Sequence, residues 1–371
     1  MKREEIVHVI ISLTPGGTEY KLINLIKDTD TIFNHSVIVL TYAEKNIRNE
    51  LLKNQVKLKE LKISGFFSLV RSLFQLRRNF ISWKADLLVS WLYHGNLYAI
   101  LIKKILGLKA KLIWNIRSSL SSFKTAPLHR KLVIYISKFF LNSVNAIIYN
   151  SNLSLREHKA YGFGHVNEIV INNGIDTIKF KKVKIAKERL CNQLGIDKKI
   201  PLIGMCARFH PIKNYPLLIS SVINLLDKGF NLNCILCGDG LNEDNDKIVN
   251  LIGKRSGNFH LLDHRDDLPL VYSALDIHIL TSFSESSSNS LLESISCGTK
   301  VISTKVGTSM EILDSKSLLN TYEPEELSNK IIHLLEEKQN IESLTKRIQN
   351  EFSIEKMNKE FTNLYKGIIH Q

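Results

Sequence analysis

Short apolar runs alternate with longer segments of mixed apolar and polar residues along the whole chain. The runs at 7–13, 36–40 and 87–91 have the length and apolar content of buried strands. The segments at 17–27 and 128–142 repeat apolar residues at helical spacing. This alternation predicts an α/β fold, with parallel sheets that are covered by helices on both faces.

The pattern starts again near residue 201. Three further apolar runs and two helical segments follow, at 201–207, 232–237, 277–281, 215–228 and 244–255. Two such cycles predict two Rossmann-like domains, which we place at 1–175 and 176–353. The polar, lysine-rich segment 178–199 joins them, and the tail 354–371 is a predicted helix.

The composition agrees with two ordinary globular domains. The chain has 371 residues, and none of its apolar runs reaches the ~20 residues of a membrane-spanning helix. The first residues carry acids and lack a small-residue cleavage site, so we expect no signal peptide. Cys234 and Cys237 form a C-x-x-C, but they lie within an apolar run and are predicted to be buried strand residues.

The net charge of +14 lies entirely in the first half of the chain. Residues 1–175 hold 25 Lys and Arg against 11 Asp and Glu, whereas residues 176–371 hold 25 of each. Such asymmetry suggests an anionic partner, either a nucleic acid or a membrane surface, although a solvated lysine-rich surface would also explain it. Residues 66–80 are apolar around much of the predicted helix and carry three arginines, so they could dock on an anionic bilayer or cover a sheet.

Parallel α/β sheets bind ligands at the carboxyl ends of their strands. This rule selects candidate residues in both predicted domains, namely residues 14–18, His94, Arg117, Arg208, Lys213, Gly238, Arg265 and Glu285. A solvated lysine, a structural histidine and a tight Gly-Gly turn are the plain alternatives for Lys213, His94 and residues 16–17. The turn at Gly238 does not complete a dinucleotide fingerprint, because Glu243 stands where a glycine is needed.

The segment Glu285-Ser-Ser-Ser-Asn-Ser-Leu-Leu-Glu293 is the most informative part of the chain. It follows an apolar strand and is predicted to turn into a helix between the two glutamates. Ser288, Asn289 and Ser290 then lie at a helix N-terminus, where backbone N–H groups can hold an anion. Two carboxylates on either side of such a site suit a ligand with a diphosphate between two sugars.

Together these motifs resemble the signature of the family 4 glycosyltransferases of GT-B fold. The likeness lies in Ser282-Phe-Ser-Glu285 with Glu293 and Gly298, in Pro15-Gly-Gly17, in Arg208 with Lys213-Asn214, and in Asn173-Gly-Ile-Asp176 with Phe180. It extends over nearly the whole chain. It implies two Rossmann-like domains that face each other across a cleft, with the C-terminal helix packed back on the N-terminal, acceptor-side domain.

The resemblance also implies roles for single residues. Glu285 would contact hydroxyls of the donor sugar, and Glu293 would bind the ribose of the nucleotide. Backbone amides near residues 288–290 would hold the donor sugar and the diphosphate. Arg208 and Lys213 would neutralise the leaving diphosphate. Gly16 and Gly17 would approach it from the other domain, and no metal or other cofactor would be needed.

The chain departs from the family pattern at two points. The first glutamate is usually followed by Gly-aromatic-Pro, but Ser286-Ser-Ser288 stands here. Many relatives carry a histidine after the strand at 111–116, where this chain has Arg117. His94 and Arg117 are therefore both candidates for the first-domain contact with the transferred sugar.

We expect a retaining hexosyl- or N-acetylhexosaminyltransferase. It would use a UDP- or GDP-linked donor and a saccharide or lipid-linked acceptor in surface-polysaccharide synthesis of the O-antigen or capsule type. It would act in the cytoplasm, peripherally on the inner face of the membrane, with an anionic membrane surface and no nucleic acid as partner. A nucleotide-sugar epimerase of the same fold, and a basic protein that binds nucleic acid or membrane, are the alternatives.

Overall fold

The computed structural model describes residues 3–14, 16–65, 68, 71, 72, 76, 84–121, 123, 126–165, 167–337 and 341–371. The chain forms two compact units: Met1–Gly174 with Ile354–Gln371, and Ile175–Ser353. Each unit is built on one sheet whose neighbouring strands are parallel.

The sheet of the first unit has the order β3-β2-β1-β4-β5-β6-β7. Its strands are β1 (Glu5–Ile10), β2 (Asn34–Val39), β3 (Lys57–Glu60), β4 (Leu87–Trp91), β5 (Lys111–Ile116), β6 (Ala146–Tyr149) and β7 (Glu168–Val170). The side chains of β1 point to both faces of the sheet. Ile6 and Ile10 belong to one apolar cluster, and Val7 and Val9 belong to the other. Both faces of the sheet are therefore covered, which explains the continuously apolar strands.

The described helices of this unit lie between the strands. They are α1 (Gly17–Thr29), α2 (Lys45–Lys53), α3 (Leu92–Ile105), α4 (Leu128–Ser137) and α5 (Asn152–Ala160). Helix α3 packs tightly on β1. The packing leaves no room for a side chain at Gly95, where a Cβ would lie 2.8 Å from the Val9 carbonyl oxygen. A 3-10 helix, Lys138–Ser143, follows α4 directly.

The sheet of the second unit has the order β10-β9-β8-β11-β12-β13. Its strands are β8 (Leu202–Cys206), β9 (Asn233–Cys237), β10 (Phe259–Leu261), β11 (Ile277–Leu280), β12 (Lys300–Thr304) and β13 (Leu318–Leu319). Its helices are α6 (Ala186–Leu194), α7 (Tyr215–Asp227), α8 (Asp246–Ile252), α9 (Leu268–Ala274), α10 (Asn289–Ser296), α11 (Ser309–Ile312), α12 (Pro324–Glu336) and α13 (Glu342–Glu351). Two apolar clusters again lie on the two faces of the sheet.

The last helix, α14 (Ile354–Ile369), belongs to the first unit although it follows the second in sequence. Its Phe361 ring stacks on Trp91, with centroids 6.1 Å apart, and Tyr365 packs beside Phe33. Asn358 donates a hydrogen bond to Asp28 of α1. The helix thus completes the apolar core of the first unit.

The predicted α/β fold with two Rossmann-like parallel sheets is confirmed. Cys234 and Cys237 are buried in β9, as predicted, and all five cysteines are free. Among the described residues, no helix combines the length and apolar character that a bilayer crossing requires.

Several predicted elements were wrong in detail. The helix expected at 128–142 ends at Ser137 and continues as a 3-10 helix, and α3 begins at Leu92, directly after β4. The joining segment 178–199 contains α6, whose Leu190 is fully buried in the second unit. The edge strand β3 was missed, because its exposed lysines break the apolar pattern.

Most of the segment 66–80 lies outside the described residues. Leu76 is among the residues described there, and it is buried in an apolar cluster of the first unit. The hydroxyl of Ser72, which is also buried, lies 2.5 Å from the hydroxyl of Tyr98.

Candidate active site

The second sheet brings most of the predicted site residues to its carboxyl edge. Strands β10, β9, β8 and β11 are neighbours, and the segments that follow them carry Arg265, Gly238, Arg208 with Lys213, and Glu285 with Ser288, Asn289, Ser290 and Glu293. These residues are distant in sequence, and parallel strand order alone gathers them at one edge.

Lys213 and Glu285 form an ion pair at this edge. Lys213 Nζ lies 2.5 Å from Glu285 Oε1, and Ser282 Oγ donates to the same oxygen over 3.0 Å. The two charged side chains are 19% and 16% exposed. The pair is thus largely shielded from water, so its Coulomb attraction is stronger than it would be at an open surface. A ligand can still reach the exposed part of both side chains.

Backbone contacts hold the two halves of this pair together. Thr281 Oγ1 donates to the Lys213 carbonyl oxygen over 2.8 Å, and the Phe283 N–H donates to the Ile212 carbonyl oxygen over 2.8 Å. The 3-10 turn Pro211–Lys213 is thereby fixed against the loop that leaves β11. The position of the cation relative to the carboxylate follows from the backbone as well as from the ion pair.

Gly307 supports the Glu285 loop from the other side. Its φ is +50°, and a Cβ added there would lie 2.6 Å from the Ser286 carbonyl oxygen and 2.9 Å from that of Glu285. Thr304 Oγ1 donates to the Ser282 carbonyl oxygen over 2.6 Å. The loop can lie this close to β12 only because residue 307 has no side chain.

Glu293 lies on α10 and accepts a hydrogen bond from a buried phenol. Tyr272 Oη donates to Glu293 Oε2 over 3.1 Å. Burial, and then the Glu293 charge, raise the pKa of Tyr272 well above its usual value, so the phenol stays a neutral donor. One side of this carboxylate is fixed by α9, on which Tyr272 lies.

The helix that carries Glu293 begins at the predicted residues. Ser288 is the N-cap of α10, and its side chain accepts from the Leu291 N–H over 3.4 Å. Asn289 and Ser290 form the start of the first turn. Their position at a helix N-terminus matches the expected anion-binding geometry.

A buried histidine fixes α10 to the sheet. His278 Nε2 accepts from the Cys206 N–H over 3.2 Å, which leaves Nδ1 as the protonated nitrogen, 3.0 Å from Ser294 Oγ. Burial, and then the charge of Lys213, lower the pKa of His278 to about 3. A neutral imidazole therefore links the end of β8 to the helix of Glu293.

Arg208 and His210 add polar groups beside Lys213. Arg208 is exposed in the loop after β8. Burial, and then the charges of Arg208 and Lys213, lower the pKa of His210, which is therefore neutral near pH 7. The two cations on this loop suit a phosphate group.

Gly238 and Arg265 lie at the same edge of the sheet, and both make contacts within the protein. Gly238 has a φ of +142°, and a Cβ there would lie 2.3 Å from the Ala207 carbonyl oxygen, so the close approach of two strand ends requires glycine. Arg265 donates through Nε and Nη2 to Asp267, both over 2.7 Å, and this pairing raises its pKa. A role for either residue in substrate binding stays a prediction.

In the first unit, Gly16 and Gly17 lie at the start of α1. Gly16 is the N-cap, and Gly17 is the first helical residue. The Glu19 side chain folds back to this end of the helix. Its Oε2 lies so close to Gly16 that a Cβ added there would be 2.5 Å away. Burial raises the pKa of Glu19. An internal carboxylate thus lies where the sequence predicts an approaching diphosphate.

His94 and Arg117 differ in accessibility. Arg117 is 8% exposed; it donates to Asn173 and lies over the Trp91 ring, 5.7 Å from its centroid. Burial lowers the pKa of Arg117 to about 10. His94 is half-buried in the first turn of α3, and burial, then His129 and Arg130, lower its pKa. His94 is the more exposed of the two candidates, and which of them contacts the transferred sugar stays a prediction.

Two family descriptions match the two halves of the chain. "Glycosyl transferases group 1" matches residues 186–351, and "Glycosyltransferase Family 4" matches residues 15–179. The chain belongs to the family 4 glycosyltransferases. This membership favours a transferase over the epimerase and the binding protein that the sequence had left as alternatives.

Two relatives of this chain are named for the reactions that they take part in. The O-antigen biosynthesis glycosyltransferase WclY of Escherichia coli is 28% identical over 211 residues, 54% of this chain and 56% of that protein. The N,N'-diacetylbacillosaminyl-diphospho-undecaprenol alpha-1,3-N-acetylgalactosaminyltransferase of Campylobacter jejuni is 28% identical over 237 residues, 62% of this chain and 57% of that protein. The chain therefore spans little more than half the length of these curated relatives.

Solved structures resemble this chain over nearly its whole length. Alr3699/HepE of Anabaena in complex with UDP has a TM-score of 0.84 at 20% identity and covers 98% of this chain and 100% of its own. A glycosyltransferase from Rickettsia africae has a TM-score of 0.82 at 18% identity, with 100% and 99% covered. At such identities the likeness shows the fold, which is GT-B.

Several residues that shape the site could not be predicted from the sequence. Tyr272 and His278 lie in a helix and a strand, and no local motif marks their contacts to α10. His210 lies between the predicted Arg208 and Lys213, and its place on that loop was the available signal. The packing role of Gly307 is visible only in the structure.

Proposed function

We propose that this protein transfers a sugar from a nucleotide-sugar donor to a saccharide or lipid-linked acceptor, with retention of anomeric configuration. The observation that carries the proposal is the ion pair between Lys213 and Glu285 at the carboxyl edge of the second sheet. It sets a cation for a leaving phosphate beside a carboxylate for sugar hydroxyls. Glu293, oriented by Tyr272, lies at the same edge on α10.

Each group then has a chemical task in the proposed reaction. Glu285 accepts hydrogen bonds from hydroxyls of the transferred sugar, and Glu293 accepts them from the ribose. Lys213 and Arg208 stabilise the charge that develops on the departing diphosphate. The first turn of α10 offers backbone N–H groups to the phosphates. The proposed reaction uses these protein groups and neither a metal nor another cofactor.

The relatives support a choice of substrates to test. HepE was crystallised with UDP and with UDP-glucose, so a uridine nucleotide is the first candidate donor, ahead of a GDP-linked sugar. The names of the Escherichia coli and Campylobacter jejuni relatives support an acceptor in surface-polysaccharide synthesis that is linked to a lipid diphosphate. We infer a hexose or N-acetylhexosamine as the transferred sugar. We also infer a peripheral location on the inner face of the cytoplasmic membrane.

The variant Glu285→Gln tests this proposal. It removes the charge that faces Lys213 and the proposed contact to the sugar, but it keeps the shape of the side chain. Release of UDP from a panel of UDP-sugars should fall about 100-fold, while the affinity for UDP itself should change little. Glu336→Gln, an exposed change on α12, is the control and should leave turnover unchanged.

Two results would contradict the proposal. One is wild-type turnover in Glu285→Gln. The other is a folded wild-type protein that releases nucleotide from none of the uridine, guanosine or adenosine donors. The anomeric configuration of the product, read by proton NMR, tests retention separately.

A further inference from the structure

An apolar stripe on α4 is exposed to solvent. Leu128, Leu132, Tyr135 and Phe139 are 82%, 55%, 52% and 71% exposed. Leu128, Leu132 and Tyr135 follow each other at intervals of four and three residues, which places them on one face of α4. Phe139 lies four residues further on, in the 3-10 helix that continues α4. The four side chains, here called the α4 stripe, extend for about 16 Å along the helix axis. Apolar groups of this size are usually buried, so a continuous exposed row calls for a partner.

The opposite face of the same segment is anchored in the core. Ile134 and Leu141 are 1% and 7% exposed and belong to an apolar cluster of the first unit. On the stripe itself, the rings of Tyr135 and Phe139 meet edge to face, with centroids 5.5 Å apart. The stripe is therefore a second, outward-facing apolar surface on a helix that is already packed.

The charge around the stripe has one sign. Between residues 87 and 156 the sequence has ten Lys and Arg and no Asp or Glu. Lys138 Nζ lies 5.7 Å from the centroid of the Tyr135 ring, and Lys104 Nζ lies 4.8 Å from that of Phe140. Cations thus flank the apolar row, and no acidic residue of this stretch competes with an anionic partner.

The stripe begins at the ligand edge of the first sheet. The ring of His129, next to Leu128, lies 6.2 Å from the ring of His94. His94 is in the first turn of α3, directly after β4. One end of the stripe is therefore close to the sheet edge at which α/β units bind ligands.

We propose that the α4 stripe docks the first unit on an anionic lipid bilayer. Leu128, Leu132 and Phe139 enter the boundary between headgroups and acyl chains, Tyr135 lies at the headgroup level, and the flanking Lys and Arg contact lipid phosphates. Lys and Arg side chains suit this position, because they keep their charged ends in water while their aliphatic stems cover apolar surface.

Other occupants fit the surface less well. A second copy of the chain would place two surfaces that are rich in cations against each other, which is unfavourable. A nucleic acid would neutralise the cations but would leave the two leucines facing a polar backbone. The purpose of docking rests on the proposed function: it would bring a lipid-linked acceptor to the ligand edge of the first sheet.

Co-sedimentation with vesicles tests the proposal. Vesicles of phosphatidylglycerol and phosphatidylcholine in equal parts should bind the full-length protein, and vesicles of phosphatidylcholine alone should bind it much less. The variant Leu132→Ser with Phe139→Ser should lower the partition coefficient at least about tenfold. Lys131→Gln with Lys138→Gln should lower it about tenfold on the anionic vesicles only.

The matched control uses the same unit and similar exposure. Tyr42 and Leu52 are 57% and 53% exposed but lie outside the stripe, so Tyr42→Ser with Leu52→Ser should bind like the wild type. Equal binding of the stripe variant and the wild type would overturn the proposal. So would equal wild-type binding to neutral and anionic vesicles, or a dimer without lipid that the stripe variant dissociates.

Nucleotide binding separates this surface from the catalytic proposal. It is measured without vesicles in the same preparations, and the stripe variant should bind UDP like the wild type. A protein that binds anionic vesicles through the stripe but no nucleotide would keep the docking surface and lose the transferase proposal.

Discussion

Two buried histidines, His8 and His35, lie side by side in the core of the first unit. His8 Nε2 and His35 Nδ1 are 3.0 Å apart, and Trp91 Nε1 donates to His8 Nδ1 over 3.3 Å. The Trp91 donor leaves Nε2 as the protonated nitrogen of His8, which then donates to His35. His35 Nε2 in turn lies 2.9 Å from Thr29 Oγ1. The chain satisfies both imidazoles as neutral rings and has no acceptor for a further proton.

This arrangement predicts a first unit that loses stability in mild acid. Burial, and then His35, lower the pKa of His8 well below its usual value, and burial lowers the pKa of His35 to about 4. Unfolded histidines have a pKa near 6.5, so between about pH 6.5 and pH 4 the unfolded chain binds protons that the native unit does not. The free energy of unfolding should therefore fall in this window, by up to about 1.4 kcal/mol per pH unit for each histidine.

Urea unfolding followed by tryptophan fluorescence measures this effect, because all three tryptophans precede residue 175. The variant His35→Asn should reduce the slope of this pH dependence between about pH 6.5 and pH 4, and His8 and His158, whose pKa values burial also lowers, should account for the slope that remains. His129→Asn, at an exposed histidine, should not reduce the slope. A free energy of unfolding that is the same at both pH values in the wild type would contradict the account of the buried pair.

Single residues of the site differ in how far the sequence could predict them. Glu285 and Lys213 follow neighbouring strands, so the strand-end rule predicted their meeting. Arg117 also follows a strand, but its side chain turns inward onto Trp91. The direction of such a side chain depends on tertiary packing, which the sequence of one strand does not show. The contact of Tyr272 with Glu293 joins separate helices and leaves no local pattern.

The loop between β11 and α10 is the element that places Glu285. Gly307 and Gly298 both have positive φ, +50° and +78°, so alanine should strain the backbone comparably at each. A Cβ at 307 would meet loop carbonyl oxygens at 2.6 Å and 2.9 Å, whereas at 298 its nearest neighbour is the flexible Lys182 side chain at 3.4 Å. Gly307→Ala must move the loop, and Gly298→Ala need not.

We therefore expect the two variants to lose similar stability, about 1 kcal/mol or more, and to differ in activity. Gly307→Ala should lower the turnover of nucleotide sugar at least about tenfold, because a displaced carboxylate no longer meets the sugar. Gly298→Ala should stay close to the wild type. Thermal unfolding and nucleotide release, measured on both, would refute the role of the loop if their turnover fell equally.

The elements that the sequence failed to predict share a cause. Residues 92–96 include a histidine, a glycine and an asparagine, and nothing local indicates that they continue α3 against β1. Helix α6 was hidden in a lysine-rich segment, since its buried positions are few. In both cases tertiary packing decides the structure, whereas long apolar strands were predicted because their own pattern suffices.

At the scale of the whole molecule, the repeated β/α pattern was enough to predict two units. It could not show how α14 completes the core of the first unit, because its apolar residues Met357, Phe361 and Tyr365 would suit any open core. The charge asymmetry directs attention to the first half, and the anionic partner that it suggests stays a prediction. The exposed α4 stripe, however, became visible only with the fold, since its spacing equals that of a buried helix face.

We propose above all that the second unit binds a nucleotide through Glu293. Titration calorimetry with UDP, GDP and ADP should show that the wild-type protein binds one of them, with UDP as the first candidate. Glu293→Ala should weaken that binding at least about tenfold, because it removes the acceptor for the ribose hydroxyls, and Glu336→Ala should not change it. A folded protein that binds none of the three, or a Glu293→Ala variant that binds as tightly as the wild type, would contradict the account.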